Sequence, residues 1–152
     1  MDLDKYFKKY IWDDERTPYF VPVARLTRSQ AGYEIYLYAL FVGVLCAIVS
    51  VAALSSKLPH GNSAIVSIYA FTVVCAAVLL GMSRHAWAGL WCATPPLAGL
   101  AYFAAYGFHP NLGLQDKVLL VLAMIAWLAY CRRLLAVVRA YAKLPDRRAQ
   151  AG

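Results

Sequence analysis

Residues 33–54 read YEIYLYALFVGVLCAIVSVAAL, and Glu34 is the one charged side chain in this stretch. Its length corresponds to roughly 33 Å of α-helix at about 1.5 Å per residue, which is enough to cross the hydrocarbon core of a bilayer. The stretch is apolar on every side of a helix, whereas a surface helix of a soluble domain keeps a polar face. We therefore interpret it as a membrane-spanning helix that begins near Tyr33 and ends near Leu54.

Three more stretches resemble the first, at about residues 64–82, 86–106 and 114–144. The last has an uncharged core between Lys117 and Arg132 that is short for a span, but its apolar pattern continues past Arg133 and its basic side chains can extend to the interface. The whole chain has 152 residues, of which 62% are hydrophobic and 15% charged. A soluble domain has too much surface for this composition. The sequence thus predicts an all-α integral membrane protein with four transmembrane helices.

Lysine and arginine are distributed unevenly about these spans. Of 15 such residues, Lys57 and Lys117 fall on one side and the rest on the other. The larger group consists of Lys5, Lys8, Lys9, Arg16, Arg25, Arg28, Arg84, Arg132, Arg133, Arg139, Lys143, Arg147 and Arg148. The positive-inside rule then places both termini in the cytoplasm. This rule accounts for the net charge of +7 without a nucleic-acid partner, and it favours contact with anionic lipid at the cytoplasmic face. The spans rich in Ala and Leu and the short loops favour a bacterial inner membrane.

The chain divides into an N-terminal segment (1–32), the transmembrane domain (33–144) and a C-terminal tail (145–152). Residues 2–11 have the spacing of a short amphipathic helix in the cytoplasmic interface. Trp12, Tyr19 and Phe20 follow, and they form either an aromatic collar at headgroup depth or a docking strip for a partner protein. Thr27 and Gln30 have the spacing of a capping box, which predicts the start of the first spanning helix.

Candidate reactive groups are few. The four cysteines, Cys46, Cys75, Cys92 and Cys131, are interpreted as small buried hydrophobic residues. His60 and His109 lie at the ends of spans on the non-cytoplasmic side, where Asp116 is one further ligand for a metal or haem. Catalytic motifs are missing, so we expect neither an enzyme nor a bound cofactor or metal. Glu34 is expected to be either a solvated carboxylate or the partner of Arg132 or Arg133.

Two patterns within the spans carry structural information. Thr94, Pro95 and Pro96 predict a kink or a break in the middle of the third span, because two residues lack backbone donors there. Small residues recur every fourth position in the first span, at Ala39, Gly43 and Ala47, and such a stripe permits close approach of another helix. That helix belongs either to this chain or to a partner.

These features favour a non-catalytic accessory subunit that packs against other integral membrane subunits, with an energy-converting or respiratory assembly as a host. The alternative is a small homo-oligomeric transporter or channel that uses the break at Pro95 and Pro96. A haem or quinone site near His60 and His109 is the third hypothesis.

Overall fold

The computed structural model describes residues 21–55 and 63–145, and every regular element in these two ranges is helical. Two short 3-10 turns, at Val23–Arg25 and Tyr141–Lys143, flank the bundle at its two ends in the chain. The α-helices between them are α1 (Arg28–Leu54), α2 (Ala64–Ser83), α3 (Ala86–Cys92), α4 (Pro95–Tyr106) and α5 (Leu114–Ala140). The N-terminal helix predicted at residues 2–11 lies outside the described residues.

The first long helix begins where the capping box predicted. The backbone N–H of Gln30 donates to the Thr27 hydroxyl at 3.3 Å, and the N–H of Thr27 donates to the Gln30 side-chain oxygen at 3.0 Å. These two bonds satisfy donors that the first helical turn leaves open. The N–H of Arg28 also donates to the carbonyl of Pro145 at 3.0 Å. The start of α1 therefore lies beside the end of the described chain, at the same end of the bundle.

The pair α1 and α2 is the most extensively packed part of the fold, and the two helices run antiparallel. Small residues bring their backbones together, since a Cβ built on Gly43 would lie 3.4 Å from the Cβ of Ala77. Gly81 approaches Ala39 in the same way, one helical turn further along. The small-residue stripe of the first span therefore makes contacts within this chain, as one of the two sequence-based alternatives proposed.

Within residues 21–55 and 63–145, three helices are long and apolar enough to cross a membrane: α1, α2 and the segment Leu114–Lys143, which contains α5. Large apolar side chains are exposed along them, Ile65, Met82 and Leu114 among them. This arrangement is compatible with a multi-pass membrane protein, in which lipid covers such side chains. The third predicted span, 86–106, is divided between α3 and α4, and each of these helices alone is shorter than a bilayer crossing.

The cysteines correct one expectation. Cys46, Cys92 and Cys131 are buried, as predicted, but Cys75 is exposed on α2. Because α2 is apolar around its whole circumference, the sequence alone does not distinguish its packed side from its outer side.

Candidate functional site

The break between α3 and α4 results from two consecutive prolines. Pro95 and Pro96 occupy the first two positions of α4, where a missing N–H costs nothing to the new helix. The preceding helix loses two donors, however, because residues 95 and 96 would otherwise bond to the carbonyls of Trp91 and Cys92. Cys92 is fully buried, so its carbonyl needs a donor from elsewhere in the bundle, whereas Trp91 is partly exposed. The predicted break is present at these residues.

Thr94 supplies the donors to the first carbonyl. Its backbone N–H and its hydroxyl both donate to the oxygen of Trp91, at 3.1 and 2.8 Å. The hydroxyl also lies 2.6 Å from the Tyr69 hydroxyl of α2, and the indole N–H of Trp91 donates to Thr72 Oγ1 at 3.2 Å. The polar groups on this side of the break are thus bonded to one another and tie α3 to α2.

Tyr38 supplies the donor to the second carbonyl. Its hydroxyl, on α1, donates to the oxygen of Cys92 at 2.8 Å. The same hydroxyl accepts a bond from the indole N–H of Trp127 at 3.1 Å and lies 3.2 Å from Cys131 Sγ, both on α5. With its own proton on Cys92, the hydroxyl leaves the thiol as the donor in that last contact. One buried tyrosine therefore joins α1, α3 and α5.

An ion pair lies one turn from Tyr38 along α1. Arg133 Nε donates to Glu34 Oε1 at 2.9 Å, and Arg133 Nη2 donates to Oε2 at 3.2 Å, which is the two-pronged geometry that arginine forms with carboxylates. Tyr130 donates its hydroxyl to Oε1 at 3.2 Å, and Arg133 Nη1 donates to the carbonyl of Val21 at 2.9 Å. The Glu34 side chain is 0% exposed and that of Arg133 is 22% exposed. The pair fastens α5 both to α1 and to the segment before it.

This pair decides between the two interpretations of Glu34. The prediction of a solvated carboxylate was wrong, because α5 covers the Glu34 side chain. The predicted pairing with Arg133 is confirmed, whereas the alternative partner, Arg132, is exposed. Two tyrosines that take part in these contacts were not identified from the sequence: Tyr38, which bonds to the Cys92 carbonyl, and Tyr130, which bonds to Glu34. One signal was available for Tyr38, since it follows Glu34 by four residues and so lies on the same side of α1.

An open groove lies on the outer side of the α1–α2 pair, with a volume of about 420 Å³. Ala39, Gly43 and Ala47 line it from α1, and Ala77 and Gly81 line it from α2. These three small residues, which the sequence offered as partner contacts, lie along one open apolar channel, which we call the α1–α2 groove. The other predicted partner contacts, Trp12, Tyr19 and Phe20, lie outside the described residues.

The residues considered for a metal or haem have local contacts in the structure. The ring nitrogen Nδ1 of His109 accepts from the N–H of Asn111 at 3.2 Å, and Asp116 accepts from the N–H of Gly113 at 3.1 Å at the start of α5. His60 lies outside the described residues. Within 21–55 and 63–145, no group of three or more His, Cys, Asp or Glu side chains is placed to hold a metal ion.

Comparison with protein-family models, curated proteins and solved structures finds no match to this chain.

Proposed function

We propose that this protein is a non-catalytic interaction subunit of a larger membrane complex and that its α1–α2 groove receives a transmembrane helix of another subunit. The observation that carries the proposal is the groove itself, which is apolar and lined by small residues. It lies on the two most apolar of the three described helices that are long enough to cross a membrane. Helices associate in lipid chiefly through close packing at small residues. A groove of this kind offers backbone approach along its floor.

The walls of the groove also suit a transmembrane helix. Large apolar side chains stand along both edges, Leu40 and Val44 on α1 and Val78 and Met82 on α2, and all four are exposed. An entering helix would contact these side chains while its own backbone approaches Ala47, which is exposed, because Gly43 already packs against Ala77. Burial of such exposed apolar edges around a small-residue floor is how helices in membranes gain van der Waals contact.

The polar clusters support a structural role for the rest of the bundle. Glu34 and Arg133 are paired, and Tyr38 bonds to the carbonyl that Pro96 leaves open. Thr94 likewise bonds to the carbonyl that Pro95 leaves open. In a transporter the break would offer its backbone groups to a substrate or ion. Because side chains of this chain already engage them, we prefer the interaction subunit to the transporter or channel that the sequence allowed.

We further propose four spans, with both termini in the cytoplasm of a bacterium. What supports this orientation is the meeting of Arg28, Pro145 and Arg133 at one end of the bundle, together with the segment near Val21. Basic residues concentrated at one end are expected to remain on the cytoplasmic side. An energy-converting or respiratory assembly is the host that we propose.

The test is purification in mild detergent through a C-terminal tag, with stoichiometry measured by quantitative mass spectrometry. We expect other integral membrane subunits in a fixed ratio. Ala47→Leu, which puts a larger side chain in the α1–α2 groove, should remove them. Ala126→Leu makes the same change at an exposed site on α5 outside the groove and should retain them. A clean homo-oligomer, or equal behaviour of the two variants at equal abundance, would contradict the proposal.

A further inference from the structure

One side of α5 faces away from the other described helices. Towards α1, Arg133 pairs with Glu34. Towards α3, a Cβ built on Gly89 would lie 3.6 Å from Leu135 and from Val138. On the far side, the last turns of α5 present exposed residues at spacings of four and three, which place them on one face of the helix. They are Arg132, Ala136 and Arg139.

Basic residues dominate the end of this exposed face. Arg132 and Arg139 lie seven residues apart, which is about two helical turns, and Lys143 follows in the 3-10 turn after α5. All three side chains are exposed. Their charges form a line at the end of the bundle where the first turn of α1 meets Pro145. We call these three residues the α5 basic stripe.

Ala136 leaves a gap within the stripe. It follows Arg132 by four residues and precedes Arg139 by three, and Cβ atoms at these spacings are roughly 5–6 Å apart. Its side chain is a single exposed methyl group. The long arginine side chains on either side can extend over so small a residue, so that both guanidinium groups reach one anion. The gap therefore suits a compact oxyanion such as a phosphate group.

The same face of α5 becomes apolar further into the predicted span. Ile125 and Ala129 continue it from Arg132 at spacings of four and three residues, and both are exposed. Of the three long apolar helices in the described ranges, the one that contains α5 has the smallest buried share in its most apolar stretch, 11% against 28% and 33%. In a bilayer, α5 therefore offers more of its surface to lipid than α1 or α2 does. An apolar face that ends in a basic stripe matches the polarity of an anionic phospholipid.

We propose that the α5 basic stripe binds an anionic phospholipid, whose phosphate group lies over Ala136 and whose acyl chain runs along Ile125 and Ala129. Charge complementarity selects the headgroup, because arginine forms two-pronged, charge-assisted bonds with phosphate oxygens and basic residues at a membrane surface attract anionic lipid. A lipid fits this face better than an acidic protein segment does, because the charged and apolar parts follow each other along one helix that is long enough to cross the bilayer. The proposal does not depend on a helix in the α1–α2 groove.

The experiment titrates the full chain, purified and delipidated in detergent, with phosphatidylglycerol, phosphatidylcholine or inorganic phosphate under native mass spectrometry. We expect saturable binding of phosphatidylglycerol that is tighter than binding of the other two. Ala136→Glu puts a carboxylate between the two arginines and should weaken this binding at least about tenfold, the usual effect of losing a charge-assisted bond. Ala136→Gln has the same size without the charge and should bind nearly as well as the wild type.

Ser29→Glu is the control for net charge, because it adds the same charge at an exposed site in the first turn of α1, at the same end of the bundle. It should leave binding of phosphatidylglycerol unchanged. Equal losses in Ala136→Glu and Ser29→Glu, or a loss in neither, would overturn the proposal. Inorganic phosphate that binds as tightly as phosphatidylglycerol would also overturn it, because the ligand would then be a soluble anion.

A second measurement on the wild-type chain covers the case in which Ala136→Glu does not fold. Phenylglyoxal modifies accessible arginines, and peptide mass spectrometry reports the extent at each one. Phosphatidylglycerol should slow modification of Arg132 and Arg139 severalfold, whereas Arg25, exposed in the 3-10 turn before α1, should keep its rate. Phosphatidylcholine should protect none of the three. Equal protection of all three arginines would show lipid attracted by surface charge alone and would overturn the site. Lack of protection at Arg132 and Arg139 would also overturn it and would favour an acidic protein segment as the partner of the stripe.

Discussion

Replacement of Arg133 by methionine tests the ion pair between α1 and α5. The change keeps a side chain of similar length but removes the charge that meets Glu34 through two bonds of 2.9 and 3.2 Å. The Glu34 side chain is 0% exposed and so shielded from solvent, and among the described residues a carboxylate left behind keeps the Tyr130 hydroxyl as its donor. Breaking a buried pair in this way costs about 3–5 kcal/mol. We expect Arg133→Met to lower the free energy of unfolding by about that amount.

We attribute this loss of stability to the buried Glu34 carboxylate that is left without its arginine. A second variant separates this cause from a simple loss of packing. In Glu34→Gln together with Arg133→Met, both charges are gone and the amide still accepts from Tyr130. Removing both members of a buried pair is much less costly than removing one. We therefore expect the double variant to be more stable than Arg133→Met alone, by about 2 kcal/mol.

The assay is reversible unfolding in mixed micelles, followed by far-ultraviolet circular dichroism as the denaturing detergent fraction rises. Arg132→Met is the matched control, because Arg132 adjoins Arg133 in the chain and is exposed. Its effect should stay within about 0.5 kcal/mol. An Arg133→Met variant as stable as this control, or a double variant that is less stable than Arg133→Met, would refute the reasoning.

Three further predictions use the same unfolding assay. Tyr38→Phe removes the donor to the buried Cys92 carbonyl and should cost about 1–3 kcal/mol; an unchanged midpoint would mean that another group satisfies that carbonyl. Thr27→Ala removes the N-terminal cap of α1 and should cost about 1 kcal/mol, with Thr27→Ser close to wild type. Gly107→Ala places a Cβ at φ 78° and ψ −177°, a region essentially restricted to glycine, and should cost about 1–3 kcal/mol. Gly113→Ala, where φ is −66°, should cost less, and the reverse order would contradict the argument.

Local features of the sequence predicted the local structure well. The start of α1 could be predicted from Thr27 and Gln30 alone, three residues apart, because a capping box involves backbone groups of the same turn. Pro95 and Pro96 predicted the break for the same reason, since a missing N–H acts on the residues four positions earlier. Such effects need no knowledge of the neighbouring helices.

Contacts between helices were harder to predict, because α1 is apolar on all sides. Ile35 and Val42 are buried in the bundle, whereas Leu40 and Phe41, equally apolar, are exposed. The period of the apolar residues therefore does not identify the packed side, as it would in a soluble helix. The pairing of Glu34 depends on that orientation, and so does the meeting of Tyr38 with the Cys92 carbonyl. The sequence offered the pairing of Glu34 with Arg133 as one of two alternatives. It did not predict the bond between Tyr38 and the Cys92 carbonyl.

The central claim is that another membrane subunit occupies the α1–α2 groove, and crosslinking in native membranes tests it most directly. A photo-crosslinking amino acid in place of Ala47 should give one defined adduct with a different integral membrane protein. The same amino acid in place of Ala126, exposed and outside the groove, should not give that adduct. An adduct with a second copy of this chain, adducts with lipid alone, or the same products from both positions would contradict the account.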